Sequence, residues 1–235
     1  MNILSRRKLI AAAAGASGLA VAARLADQYG LIPPDHGGLY GPGKTLTYAA
    51  QRLLTRHSMA REFGRDQISK APFANGRSPA IKGFEERKAD WHFTVDGMVA
   101  RPMTFSLADL KAQPSRSQIT HLACEEGWSF IAEWTGMPLA HVLETVGILP
   151  QAKFVEYFSL EPRWSDSVDM ADALHPQTLL TYGMNGADLP VGHGGPLRVR
   201  VPRQLGYKSV KFITRLTVTD RLASASGSYA WYAGI

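Results

Sequence analysis

"HGGPLRVRVPRQLGYKSVKFITRLTVTD", residues 193–220, opens on a Gly-rich turn and carries two runs of β-forming residues separated by a segment with one Pro and one Gly. In the first run Leu197, Val199 and Val201 fall on one face of an extended chain and Arg198 and Arg200 on the other, because strand side chains alternate. The second run, residues 209–220, is a further strand. Working back from them, "KFVEYFSL" (153–160) and "TLLTYGMNGADLP" (178–190) also read as strands, the latter turning at Asn185-Gly186. "WHFTVDGMV" (91–99) alternates and predicts a hairpin that turns at Asp96-Gly97. Between these lie helical signals. "SLADLKAQP" (106–114) offers Ser106 as N-cap and Pro114 as a stop, and "WTGMPLAHVLETVG" (134–147) is the clearest helix, with Pro138 near its first turn and Gly147 at its end. "LTYAAQRLLTRHSMAREF" (46–63) predicts a short helix followed by a loop. Runs of strands mixed with a few helices indicate an α+β domain rather than regular βαβ winding. With no internal repeat and no second linker, residues 46–235 read as one sheet-rich domain.

The N-terminal region has a different character. "MNILSRRKLIAAAAGASGLAVAARLA" opens with a basic cluster, continues as a moderately apolar run rich in Ala and Gly, and includes Ala-Val-Ala at residues 20–22. That order is an export signal over residues 1–30, and "SRRKLI" has the paired arginines of the twin-arginine type, which passes folded proteins across the membrane. The expected location is therefore the periplasm, with the signal touching the membrane before cleavage. Residues 31–45, "LIPPDHGGLYGPGKT", form a Gly/Pro-rich connector. The whole chain has a formal net charge of +6. Arg6, Arg7 and Lys8, with no acid in residues 1–22, account for half of it (6 − 3 = +3 for the rest). A mild excess without a basic stripe argues against nucleic acid as a partner.

Several short patterns bear on chemistry. Gly38 to Thr45, "GLYGPGKT", satisfies the phosphate-loop pattern of nucleotide hydrolases. That loop needs a buried strand before it, whereas "LIPPDHG" places two prolines there. The seven histidines have no zinc-type spacing, and a single cysteine excludes covalent c-type haem. "GHGGP" (192–196) has the look of an esterase oxyanion loop, but no G-x-S-x-G nucleophile accompanies it. The lone Cys124, in "ITHLACEEGWSF" (119–130), is either a small buried hydrophobe or a thiolate with chemistry to do. The Gly-rich turn and cations of residues 193–211 suit a bound phosphate, or else are solvated basic strand ends.

In combination these pieces resemble a known family. "THLACEEGWS", then "WTGMPLAHVLETVG", then "HGGPLRVRVPRQLGYKSVKFITRLTV" are similar in order and spacing to the molybdopterin-binding domain of the sulfite oxidase family, over about residues 85–220. Its exported bacterial members include a methionine-sulfoxide reductase catalytic subunit. The resemblance implies an α+β, mixed-sheet domain holding a molybdenum-molybdopterin cofactor, with Cys124 as metal ligand and catalytic residue. It further implies contacts to the pterin or its phosphate from Ser159, His193, Arg198, Ser209, Val210 and Lys211, and from Ser58, Arg61 and Glu62 in the upstream loop "HSMAREF". That loop departs from the Asn and Tyr of the reductase members, and His193 from their Asn. The implied activity is two-electron, oxygen-atom-transfer chemistry on a small substrate. A separate electron-transfer protein is required, a cytochrome or a membrane haem protein, because the chain has no haem or iron–sulfur motif. Arginines at the mouth, with Arg163 beside Trp164 a candidate, would suit an anion such as sulfite, and an apolar aromatic rim would suit a neutral sulfoxide. The competing expectations are a non-catalytic exported binding domain of the same fold and a nucleotide hydrolase acting through Gly38 to Thr45.

Overall fold

In the computed structural model, the residues described are 57–75, 90–162 and 164–221, together with 41–55 and scattered positions between 18 and 39. The chain divides into two compact units, Met1–Arg56 and His57–Ile235. The first contains α1, Gly41–Ala50, continued by a π-helical stretch at Gln51–Thr55. Helix thus begins inside the expected connector and swallows Gly43, Lys44 and Thr45 of the phosphate-loop pattern. Among the described residues no strand precedes that pattern, so the context a phosphate loop needs is missing. The signal reading of residues 1–30 lies largely outside the described residues, among which no helix is long and apolar enough to cross a membrane.

The second unit is built from two sheets. β1 (His92–Gly97), β2 (Met103–Ser106), β5 (Phe154–Ser159), β6 (Ser165–Asp169) and β10 (Ile213–Thr219) form one, in the order β2-β1-β10-β5-β6. β3 (Arg116–Ala123), β4 (Ser129–Pro138), β7 (Leu179–Met184) and the short β8 (Ala187–Asp188) form the other, with β9 (Arg198–Arg200) also pairing with β7. All pairs are antiparallel except β1 with β10, which joins residues 94–97 in parallel to residues 215–218. Helices α2 (Leu107–Lys111), α3 (Leu139–Val146) and α4 (Met170–Ala173) lie in the connections. This mixed, sheet-rich α+β arrangement is the expected class.

Local chemistry explains most element ends. Ser106 caps α2 through a reciprocal box: its Oγ accepts from the Asp109 amide at 3.1 Å, and the Asp109 carboxylate accepts from the Ser106 amide at 2.8 Å. Gly147 stops α3 in the left-handed region, φ +70°. Asn185 and Gly186, at φ +52° and +79°, make the tight β7–β8 turn.

Two expectations need correction. Residues 134–138 are strand rather than helix, so α3 starts only after Pro138. β4 is flanked on both sides by β3 and β7, and ladder pairing overrides the local helical pattern. The β1–β2 hairpin does not turn at Asp96-Gly97 either. Both residues remain paired with β10, and the connection is residues 98–102.

The main core collects Phe93 and Val95 of β1, Leu139, Val142, Leu143 and Val146 of α3, Tyr157 of β5, Val199 of β9 and Leu216 of β10. A smaller cluster of Leu122, Phe130, Ala132, Trp134, Met184 and Leu189 lies on β3, β4, β7 and the segment after β8. Along β3 the buried residues Gln118 and Thr120 alternate with more accessible neighbours and share a face with Leu122 of that cluster. Leu122 and Phe130 of this cluster line the candidate site.

Candidate functional site

Cys124 follows directly on β3 and opens a tight turn. Its amide donates to the Trp128 carbonyl at 2.9 Å, and its carbonyl accepts from Gly127 at 3.1 Å, with Gly127 at φ +91°. The turn leaves the side chain half-buried, with the Sγ hydrogen directed at the Glu125 carboxylate at 3.4 Å. The thiol lines a cavity of about 490 Å³ together with Glu125, Glu126, Trp128, Phe130 and Leu122 from β3, β4 and the turn between them, and with His193, Arg198, Ser209, Val210 and Lys211. That size is typical of a cofactor or small-ligand pocket.

The segment 193–212 is folded so that its cations face inward. Arg198 is 3% exposed and donates to the carbonyls of His193 (2.8 Å) and Ser209 (2.5 Å). Lys211 donates to the carbonyls of Gly192 (3.0 Å) and Asn75 (2.8 Å). After it, Phe212 sits at φ +56°, a conformation that non-glycine residues rarely adopt, which turns the chain into β10. The reading of these groups as solvated strand ends is therefore wrong: the alternation was right, but both faces of β9 are covered.

Electrostatics divides the cavity. Burial, with the charges of Arg198 and Lys211 adding to it, holds His193 down at about 4, so its imidazole is neutral. Burial brings Arg198 down to about 10, and burial followed by the Arg198 charge brings Lys211 down to about 8. Cys124 moves the other way: burial pushes its thiol up to about 12, and the carboxylates of Glu125 and Glu126 add to the effect. As folded, the sulfur is a protonated thiol. A bound cation or metal must displace that proton before it becomes a thiolate.

The outer wall is aromatic and acidic. Phe73 packs on Trp128 (5.1 Å between ring centres), Trp128 stacks on Phe130 (6.1 Å), and Phe130 meets the His193 ring edge-on at 5.5 Å. Phe73 (52% exposed) and Trp164 (41% exposed) bring this surface to solvent. Glu126 is held by Trp128 Nε1 at 2.7 Å and Asn75 Nδ2 at 3.0 Å, while Glu125 accepts from the Tyr207 amide at 3.2 Å. Glu161 also lines the cavity. Arg163, the candidate for an anion at the mouth, lies outside the described residues.

The structure thus brings Cys124, His193, Arg198, Ser209, Val210 and Lys211 to one cavity, and the other expected contacts fall elsewhere. Ser159 ends β5, where its Oγ accepts from the Glu161 amide at 3.0 Å. Arg61 lies over the Phe63 ring at 4.8 Å, and Glu62 pairs with Arg116 at 2.8 Å and accepts from Gln177 Nε2 at 3.0 Å. Ser58 belongs to the same upstream loop, which Gln177 ties down through both the amide and the carbonyl of Ala60. Sequence reading missed Glu125, Glu126 and Trp128, although they adjoin Cys124. Phe73 and Asn75 carried no local signal at all.

The donor set fits a metal with an anionic organic chelate. Among the described residues no group of three or more His, Cys, Asp or Glu side chains converges as a metal site, so these residues offer a metal at Cys124 one protein ligand and leave its other positions to an organic chelate. Among the described residues Arg198 Nε is buried without a partner and the hydrogen bonds of Arg198 and Lys211 go to neutral carbonyls, which leaves their charge available to a phosphate.

A family model described as the oxidoreductase molybdopterin binding domain matches residues 79–226. The chain is similar to the protein-methionine-sulfoxide reductase catalytic subunit MsrP of Ralstonia nicotianae, with 31% identity over 96% of this chain and 72% of that protein. It is similar also to the MsrP of Burkholderia mallei, with 30% identity over 94% of this chain and 70% of that protein. Among solved structures, the sulfane dehydrogenase SoxCD of Paracoccus pantotrophus shares the fold, with a TM-score of 0.55 and 21% identity. That likeness covers 71% of this chain, which spans 46% of the SoxCD chain.

Proposed function

Because this chain belongs to the oxidoreductase molybdopterin-binding family, whose members are enzymes built on a molybdenum-molybdopterin cofactor, we propose that it is an exported reductase of neutral sulfoxides. It would receive its electrons from a separate haem-bearing partner. One observation carries the reading: a single cavity joins the lone cysteine to the buried Arg198 and the half-buried Lys211, two cations that no carboxylate among the described residues pairs with.

In this reading the bound cofactor supplies two-electron chemistry, and the sulfoxide takes up two electrons and two protons to give the sulfide and water. Cys124 would hold the metal as a thiolate, giving up its proton on binding. Arg198, Lys211 and the Ser209 hydroxyl hold the phosphate end, and the neutral His193 imidazole contributes a polar contact without competing for the anion. Phe73, Trp128 and Trp164 offer a sulfoxide the apolar rim it needs. Glu125, Glu126 and Glu161 repel an anion such as sulfite. The relatives' names supply the substrate class, and the rim supports it.

Electron supply from another protein follows from a chain with one cysteine and no haem-binding pair. Export by the twin-arginine route rests on residues 1–30 and on the need to load the cofactor into a folded domain before crossing.

The test is full-length protein from molybdenum-replete cells, assayed with an artificial electron donor against sulfoxides, N-oxides and sulfite. Expected are close to one molybdenum per chain, sulfoxide reduction and no sulfite oxidation. Cys124→Ser should cost more than the ~100-fold typical of removing a group beside a metal ligand. Native protein without molybdenum, or a Cys124→Ser variant of full activity, would sink the reading.

A further inference from the structure

Arg200 lies two residues along β9 from Arg198, is fully buried, and does not line the cavity. Its Nη2 donates to the His121 carbonyl at 2.5 Å and approaches Thr120 Oγ1 at 3.4 Å, while its Nη1 approaches Ser209 Oγ at 3.4 Å. Its Nε has no partner among the described residues. The carbons of the Arg198 and Arg200 guanidinium groups lie 5.2 and 5.4 Å from the centre of the Trp134 ring.

The treatment of the other buried cations makes this pair unusual. Lys208, equally buried, is neutralised by Asp166 at 2.7 Å, and Arg203 has Asp172 at 3.4 Å. Among the described residues Arg198 and Arg200 have only neutral acceptors, and burial together with the Arg198 charge brings Arg200 down to about 9. Two adjacent guanidinium groups are poorly tolerated in a dry interior unless an anion balances them.

Ser209 is the link to the cavity. Its Oγ accepts from the Val201 amide at 3.2 Å and faces Arg200 Nη1, while its carbonyl accepts from Arg198. With those donors occupying its lone pairs, the hydroxyl keeps only its hydrogen to offer, and a hydroxyl in that state serves an anion.

We propose that Arg200 is a positioning residue of the anion end: from behind the cavity wall it makes Ser209 a hydrogen-bond donor and adds the second positive charge that fixes the cofactor's phosphate. The same guanidinium also ties the anion loop to β3, three residues before Cys124, through His121. This inference rests on the cofactor reading above.

The experiment uses full-length chain prepared without cofactor, with Arg200→Met and Arg200→Lys, melted across a series of inorganic phosphate concentrations. Molybdenum content is measured in parallel on protein from replete cells. Arg200→Met is expected to melt no lower than the unsubstituted protein in the absence of anion, because an unbalanced charge has been removed. It should need roughly tenfold more phosphate for the same stabilisation and should retain less molybdenum. Arg200→Lys, which keeps the charge and loses the fork, should fall between the two. If Arg200→Met cannot be folded, the Lys variant decides: a phosphate response equal to that of the unsubstituted protein overturns the proposal. So does an Arg200→Met protein that is destabilised yet responds normally to phosphate, since Arg200 is then only a strut. Unsubstituted protein that neither holds molybdenum nor responds to phosphate overturns the cofactor reading and this inference together.

Discussion

At the scale of single residues, the chemistry turns on what burial does to charge. Cys124 is a protonated thiol in its own environment, so its role as a ligand depends on a metal arriving with charge to spare. Lys211 gives a pH test. Its folded value of about 8 lies below its ordinary 10.5, so between those limits the unfolded chain holds a proton that the folded chain has lost. Stability of the cofactor-free protein should therefore rise with pH from about 8 to 10.5, and the cost of the buried ammonium is fully present below about 8. Phosphate affinity should move oppositely, weakening as pH climbs past about 8, because the neutral amine no longer attracts the anion. Thermal melts with and without phosphate between pH 7 and 9.5 measure both trends, and Lys211→Met should flatten them. His193, held at about 4 against an ordinary 6.5, should make the stability of the cofactor-free protein rise with pH from about 4 to 6.5, while adding no inflection to phosphate affinity between pH 5 and 7. Cys124 and the 193–211 cations were legible because each is a rare residue type in a recognisable order. Glu125, Trp128 and Phe73 were not, since an acid or an aromatic gains a role only from what folds beside it.

At the scale of elements, β4 shows how pairing overrides local preference. Trp134 to Pro138 preceded a good helix and read as part of it, yet this stretch pairs with β3 on one side and β7 on the other. Gly136 is the position that permits it. The register slips between Thr135 and Gly136, and a Cβ there would lie 2.2 Å from the Leu180 carbonyl. Gly136→Ala should force β4 and β7 apart at a cost of about 1–3 kcal/mol, lowering the thermal midpoint by several degrees. Circular dichroism melts measure it, and a midpoint unchanged within error would mean that the strands yield freely. By contrast, the start of α2 and the end of α3 were legible to within a residue, because Ser106, Asp109 and Gly147 act through the adjacent backbone alone, whereas α2 ends at Lys111, short of the expected stop at Pro114.

At the scale of the whole molecule, the parallel β1–β10 pair sets the folding problem. β10 lies in the middle of its sheet, between β1 and β5, so the sheet cannot close until nearly the whole domain has been made. A chain ending at Phe212 should lose cooperative unfolding and remain insoluble, as judged by solubility and amide-proton dispersion. A soluble, cooperatively melting product would show that the remaining sheets suffice. Cofactor should in turn stabilise the folded domain by mass action, so holoprotein should melt above cofactor-free protein. By itself the sequence determined the α+β class, most strands, the helix caps and the family, since alternation, capping and motif order are properties of neighbours along the chain. Only the tertiary structure decided that Arg198 and Arg200 are buried, that the upstream loop joins Gln177 instead of the cavity, and that an aromatic, acidic wall surrounds Cys124. Those facts depend on which strands meet and how far each side chain is removed from water, and no stretch of neighbouring residues encodes either.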